Sequence, residues 1–475
     1  MTTSVLFWFD VEDYITPESD DALKGLLEIF ESHGAQATWK LVAEKARVLE
    51  ARGRTDIIRL LQRQDIGYHT DTHSVHPVLA EYLRDMGWED GVQEVFRREA
   101  TGYRDLIRIC GPASTFGQAG GSWAPQIYPV LQELDIPLFM DEASHVGLDG
   151  EPFYYCRTLH INRMEDRTTR MSFRHGDEGL EEGKRRFADI CGGGEGGLVS
   201  IYYHPCEWAT HGFWDGVNFG RGANPPRSEW KPAPLRTQKE MRAGLELFSR
   251  YLGYVKDYPG VEIITGRQVV NALPDDTGDL HIDLEELAQI IDFPDGAISY
   301  CRLQDCSLSP SELFCMVAEG LLLCLNDGEE QSGHGGHLHT PTPTPYGPTR
   351  RISSSPRPGT PLSSAALFEG AADALQFIEV HERLPDCVWL GSQRLAPADF
   401  LVTAAELLRG VAAARGAGGS IPDSIPLRTG SLDLERQIAD SPWGWVIFPP
   451  DFEAPGILEL ARLQTWTLKP ALLQG

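Results

Sequence analysis

Two short stretches hold the residues best suited to chemistry. Phe9-Asp10-Val11-Glu12-Asp13-Tyr14 carries three acids, and Gly67-Tyr68-His69-Thr70-Asp71-Thr72-His73 carries two histidines four residues apart. On a helical turn, imidazoles at that spacing face one way and can share an ion. Two histidines with a carboxylate, and coordination positions left for water, are what a catalytic metal site needs. A further histidine, His204, follows an apolar run late in the chain.

The elements that must position these residues are legible around them. Val5-Leu6-Phe7-Trp8-Phe9 is short, β-prone and apolar, so it reads as a buried strand with the acids at its end. Asp65-Ile66-Gly67-Tyr68 reads as a second strand leading into the histidines. From about residue 4 to 274, strands and amphipathic helices alternate. Helices are expected over 20–30, 55–63 and 88–106, and further strands over 35–42, 114–116, 137–141, 198–203 and 261–265. Repeated strand–helix units predict an α/β fold with a parallel sheet, and this many of them predict a barrel-like closure. Asp10, His69, Gln118, Asp141, His204 and Thr265 would then gather at the C-terminal ends of the strands, where such barrels place their sites. The long stretch 207–235, with Trp208, Trp214 and Trp230, is expected to be a lid or binding loop.

At 475 residues the chain is too long for one typical core. A linker near 274–279 predicts a catalytic region, 1–274, and a smaller, mainly helical region, 275–475. Leu395-Ala396-Pro397-Ala398-Asp399-Phe400 repeats the pattern of Leu308-Ser309-Pro310-Ser311-Glu312-Leu313. Leu384-Pro385-Asp386-Cys387-Val388 matches Ile421-Pro422-Asp423-Ser424-Ile425. Two repeats, about 295–390 and 385–430, follow from these matches. The Gly-, Ser-, Thr- and Pro-rich stretch 327–364 reads as a flexible insertion, and its His334, His337 and His339 as incidental. The formal net charge of −27 disfavours nucleic acid and acidic membrane surfaces as partners. Neither a membrane span nor a leader is apparent, and nine scattered cysteines suit a reducing interior, so a cytoplasmic location is expected. Self-association is a further expectation for the C-terminal region.

The N-terminal region resembles the polysaccharide deacetylase family, also called the NodB homology or carbohydrate esterase family 4 fold. His69-Thr70-Asp71-Thr72-His73 fits that family's His-Ser/Thr-x-x-His metal motif. Ala37-Thr38-Trp39-Lys40 resembles its second strand, Ile201-Tyr202-Tyr203-His204-Pro205 the late strand bearing a histidine, and Ile263-Ile264-Thr265 the closing strand. The likeness runs in order over about residues 4–272, and implies a distorted (β/α) barrel. It further implies a divalent ion on His69, His73 and an acid: zinc by preference, or cobalt or nickel. Asp10 would be the base and His204 the acid in hydrolysis of an amide C–N bond, typically an N-acetyl group on a carbohydrate or sugar conjugate.

The chain departs from the family in two places. The usual Thr-Phe-Asp-Asp-Gly is here Phe9-Asp10-Val11-Glu12-Asp13, so the second carboxylate is Glu12 or Asp13. Strand alternation sets Glu12 on the side of Asp10, while Asp13 could bind the ion or fix a histidine from behind. The Arg that holds the base in the family is missing from Phe116-Gly117-Gln118-Ala119-Gly120-Gly121, leaving Arg104, Arg108 and Arg157 as replacements. That loss also admits a second reading, a glycan-binding protein that keeps the fold without catalysis. The C-terminal repeats resemble pseudomurein-binding repeats, on the short Leu-Pro-x-x-Val signature alone.

Overall fold

In the computed structural model, residues 2–141, 145–162, 164–193, 196–303, 306–326, 337–352, 356–415 and 420–472 are described. The first strand, β1 (Thr3–Val11), sorts its side chains into two cores. Val5, Phe7, Phe9 and Val11 face outward, where Phe7 meets Phe30 of helix Pro17–His33 at 5.6 Å between ring centroids. Leu6 and Trp8 face inward and join Leu138, Met140, Leu159, Ile161, Tyr202 and Ile264 in a separate cluster. Each large apolar side chain so buried contributes about 1.5–3 kcal/mol.

That inner cluster spans most of the sheet. Its strands are β2 (Thr38–Leu41), β3 (Asp65–Tyr68), β4 (Ala113–Phe116), β5 (Leu138–Met140), β6 (Phe153–Tyr155), β7 (Thr158–Ile161), β8 (Thr168–Thr169), β9 (Gly197–Tyr203) and β10 (Val261–Ile264), with Lys469–Pro470 at one edge. The hydrogen-bonded order is Lys469–Pro470, β6, β7, β5, β4, β3, β2, β1, β9, β8, with β10 also on β1. All pairs are parallel except those made by β6. Side chains of β1, β5, β7 and β9 share one interior only because the sheet curls around it. The fold is α/β, a distorted (β/α) barrel, whose hydrogen-bonded path among the described residues ends at β8 and Lys469–Pro470.

The register explains one departure from expectation. β10 pairs with the first half of β1, Thr3↔Val261 to Leu6↔Ile264, and β2 with the second, Trp8↔Thr38 to Val11↔Leu41. The end of β10 therefore lies part-way along the barrel, and Thr265 caps helix Gly266–Ala272 instead of reaching the mouth. Sequence patterning found β2 to β5, β9 and β10 but passed over β6, β7 and β8, which are two to four residues long.

The C-terminal region holds two units of one plan. His281–Asp283, helix Leu284–Ile290, hairpin Cys301–Arg302/Ser307–Leu308 and helix Pro310–Asn326 end in His337–His339, which pairs back on the first strand. Pro361–Ser363, helix Ser364–His381, hairpin Val388–Leu390/Gln393–Leu395 and helix Pro397–Arg415 likewise end in Ser424–Pro426, paired to the first strand. The units thus cover 281–339 and 361–426, in place of 295–390 and 385–430. The helix-head match was sound, but Leu384–Val388 leads into a hairpin and Ile421–Ile425 into a closing strand, so those two are not equivalent. Of the expected flexible insertion, 327–336, with His334, lies outside the described residues. Residues 338–349 are instead packed: Leu338, Thr340, Thr344 and Tyr346 are buried, and Thr344 donates to the buried Glu312 at 2.8 Å.

The two regions interlock. Lys469–Pro470 extends the barrel sheet beside β6, and Tyr155 donates to the Ala461 carbonyl at 2.8 Å. The Lys469 ammonium, buried, bridges Asp275 at 2.8 Å and Glu312 at 2.7 Å. All nine cysteines are free thiols. Among the described residues no helix is long and apolar enough to cross a membrane.

Candidate metal centre

Alternation along β1 puts Asp10 and then Glu12 on the inner side, at the mouth of the barrel. β3 ends beside them, and the chain turns sharply after it. The expected helical turn is absent: Thr70 and His73 take positive φ, 63° and 60°, and the Thr70 hydroxyl accepts from the His73 amide at 3.2 Å. Non-glycine residues held so cost about 1–3 kcal/mol each, and cluster where function needs a fixed side chain. The turn still brings the two imidazoles together, with ring centroids 5.2 Å apart. Glu12, His69 and His73 each offer a ligand atom, all within 4.8 Å of one another, and all three residues are buried.

The tautomers of both histidines follow from their neighbours. His69 Nδ1 lies 2.8 Å from the Gly117 carbonyl, which only accepts, so Nδ1 carries the proton. Ser74 Oγ donates its one proton to the Asp215 carboxylate at 3.1 Å and lies 2.8 Å from His73 Nδ1, which must therefore donate to it. In both rings Nε2 is left with its lone pair toward the cavity. For His73 that atom lies 2.9 Å from Glu12 Oε2, a second acceptor. Two lone pairs facing each other are satisfied by a proton or by a cation. With both Nδ1 atoms hydrogen-bonded from behind, the donor set fits a divalent ion. Burial pushes His69 down to about 3. Burial acts the same way on His73, but the Glu12 carboxylate outweighs it and raises that group.

Asp13 does not join them. Beyond the strand it turns back, and its Oδ1 accepts from the amides of Ile15 at 3.1 Å and Thr16 at 3.0 Å. Neither role considered for it in the sequence is seen: Ser74 and Asp215, not Asp13, stand behind His73.

The missing arginine has a substitute that the sequence reading overlooked. Lys40 on β2 is the register partner of Asp10, and its Nζ lies 2.9 Å from Asp10 Oδ1 and 2.6 Å from the Met140 carbonyl. It runs through the barrel interior, 4.2 Å from the Trp8 ring centroid. Its path is open because Gly67 and Gly117 flank it: a Cβ there would come 2.5 Å from Lys40 Cγ and 2.1 Å from Nζ. Burial alone would raise the Asp10 carboxyl; the Lys40 ammonium, with His69 and His204, holds it below the ordinary value. Arg104, Arg108 and Arg157 are elsewhere, bound to the Ala100 carbonyl, Glu50 and Glu382.

His204 follows β9, with Nε2 3.8 Å from Asp10 Oδ2. Its Nδ1 faces Glu207 Oε1 at 3.4 Å, and Arg170 holds the other Glu207 oxygen at 2.6 Å. Burial works against charge on His204, but the Glu207 hydrogen bond, then Glu12 and Asp10, raise it to about 9. Burial would likewise raise Glu207; His204 and Arg170 take it down to about 2.

These groups line a cavity of about 440 Å³, with Gln118 and Asp141, as expected from their strand ends. The stretch 207–235 is not structureless: it contains helices Cys206–Ala209 and Trp214–Phe219. Its Trp208 and Trp214 are core residues, Trp214 lying against His73 at 6.0 Å between centroids. The aromatic lining comes instead from Tyr202, Phe213 and Trp445, the last from the C-terminal region.

Among known proteins, no family model matches the chain, and no curated protein does. Solved structures overlap its barrel loosely. Puue Allantoinase aligns at 14% identity and a TM-score of 0.38, over 57% of this chain and 89% of that one. The peptidoglycan N-acetylglucosamine deacetylase Bc1960 aligns at 13% and 0.29, over 55% and 85%. The Xyl-CE4 domain of a xylanase from the hindgut metagenome of Trinervitermes trinervoides aligns at 11% and 0.30, over 57% and 91%. Overlap this slight bears on neither activity nor substrate.

Proposed function

We propose that the protein is a metal-dependent hydrolase of non-peptide amide bonds, and that it removes the N-acetyl group from an amino sugar in a glycan, a glycan precursor or a sugar conjugate. The observation that carries this reading is the buried trio Glu12, His69 and His73, whose ligand atoms lie within 4.8 Å of one another while both Nδ1 atoms are held from behind by the Gly117 carbonyl and Ser74. Glu12, His69 and His73 would hold the ion, zinc by preference. When bound, a divalent ion supplies Lewis-acid polarisation of the amide carbonyl and a water of lowered pKa.

The remaining steps belong to the chain. Asp10, kept ionised and aimed by Lys40, takes a proton from the attacking water. His204, kept charged by Glu207 and Arg170, gives a proton to the departing nitrogen. Two titratable groups pushed in opposite directions within one cavity support a base and an acid at the same neutral pH. The Lys40–Asp10 ion pair supports the catalytic reading over an inactive glycan-binding one, because it supplies the cation that the missing Arg would have given Asp10.

Acetate release from N-acetylated sugars, in the presence of zinc, cobalt or nickel, tests the proposal. Wild type should turn over, and Asp10→Asn should lose about 100-fold or more in kcat. Equal release by both proteins would rule out Asp10 as the base.

A further inference from the structure

The cavity has a wall that the barrel does not supply. Residues 442–448 cross its mouth, and Pro442, Gly444 and Trp445 line it beside Phe213, whose ring meets that of Trp445 edge-on at 5.8 Å between centroids. Trp445 Nε1 donates to Asp215 Oδ2 at 2.7 Å, the carboxylate that also takes the proton of Ser74 behind His73. The segment is tied down on both sides. The Arg221 and Gly222 amides donate to the carbonyls of Val446 at 2.7 Å and Ile447 at 2.8 Å, and Trp443 Nε1 donates to the Trp123 carbonyl at 3.2 Å. Ile447 is fully buried against Gly120, whose φ is 56° and whose Cβ, were there one, would meet Ile447 Cδ1 at 2.7 Å.

We infer that this strap closes the site on one side, so that it is a pocket for one terminal sugar ring with Trp445 as the substrate-positioning residue, and not a groove for the interior of a polymer. The inference rests on the amide-hydrolase reading for its substrate class. A polymer continuing past the strap would have to break the 221–222 to 446–447 hydrogen bonds. The volume, about 440 Å³, lies in the range of small-ligand pockets. Trp445 is 38% exposed although its indole nitrogen is anchored and its ring meets Phe213, and that exposed part is what a sugar face would pack on.

Binding calorimetry on the whole chain in zinc-supplemented buffer tests this, with N-acetylglucosamine and its β-1,4-linked tetramer as probes. Monomer and tetramer should bind within about threefold of each other. Trp445→Ala should weaken the monomer about tenfold or more; Trp445→Phe, which keeps a ring but loses the Asp215 bond, about threefold. Thermal melts of both variants report whether the fold is retained, and the conservative Phe variant carries the test if Ala fails to fold. A tetramer bound more than about tenfold tighter than the monomer overturns the inference. So do unchanged affinity in both variants and no binding by either probe. Acetate release is a separate readout: its absence with this binding pattern intact removes the hydrolase reading and leaves the pocket standing.

Discussion

At the scale of single residues, the account turns on who holds whom. Lys40→Met would strand the Asp10 carboxylate in a buried setting, where burial dominates its titration. The acid limb of kcat/KM, set by ionisation of Asp10, should then move up by about one pH unit or more. Glu207→Gln acts with the opposite sign. His204 must be protonated to serve as the acid, and with its value raised to about 9 it stays so through neutral pH. Without the Glu207 charge the alkaline limb should fall toward the ordinary histidine value of about 6.5. Movement of neither limb in a pH–rate profile would contradict the base and acid assignments. Sequence reading reached Asp10, Glu12, His69, His73 and His204 because motif order and strand parity bear on them directly. It missed Lys40 because a lysine in an otherwise apolar strand has no spacing signature. The one clue was Gly67, whose missing side chain opens the lane that Lys40 occupies on the neighbouring strand.

At the scale of elements, strands were legible where β-prone runs alternate with helices, as in β1 to β4, and illegible in β6, β7 and β8, which follow β5 without an intervening α-helix. The histidine turn shows a different limit. Spacing of four predicted a helical face, yet two positive-φ residues and the Thr70 hydroxyl produce the same convergence without a helix. Gly120 is the element-level hinge of the site, since its conformation and lack of a side chain admit Ile447. Gly120→Ala should strain that backbone and press on Ile447, destabilising the protein by about 1–3 kcal/mol in urea titration. A stability unchanged within error would mean that the strap adjusts freely and is not packed as described.

At the scale of the whole molecule, the composition shift near 274 reads as a linker, but the return of the chain onto it was not legible. Nothing in the sequence announces that Lys469 pairs with Asp275 and Glu312, or that Lys469–Pro470 completes the sheet edge at β6. The Lys469 pairings span 157 and 194 residues, beyond the reach of periodicity. A chain ending at residue 274 would expose that edge and the Tyr155 hydroxyl, and should aggregate or fail to fold, as size-exclusion chromatography would reveal. Recovery of a soluble, monomeric, metal-binding fragment would argue that the regions are independent. Metal binding by the intact protein probes the central claim most directly. Titration of zinc into metal-free protein should give one ion per chain, lost in His69→Ala with His73→Ala, and weakened about 10–100-fold in Ser74→Ala, which removes the Ser74 link between His73 Nδ1 and Asp215 but no ligand. Absence of binding, or binding that survives the double substitution, would contradict it.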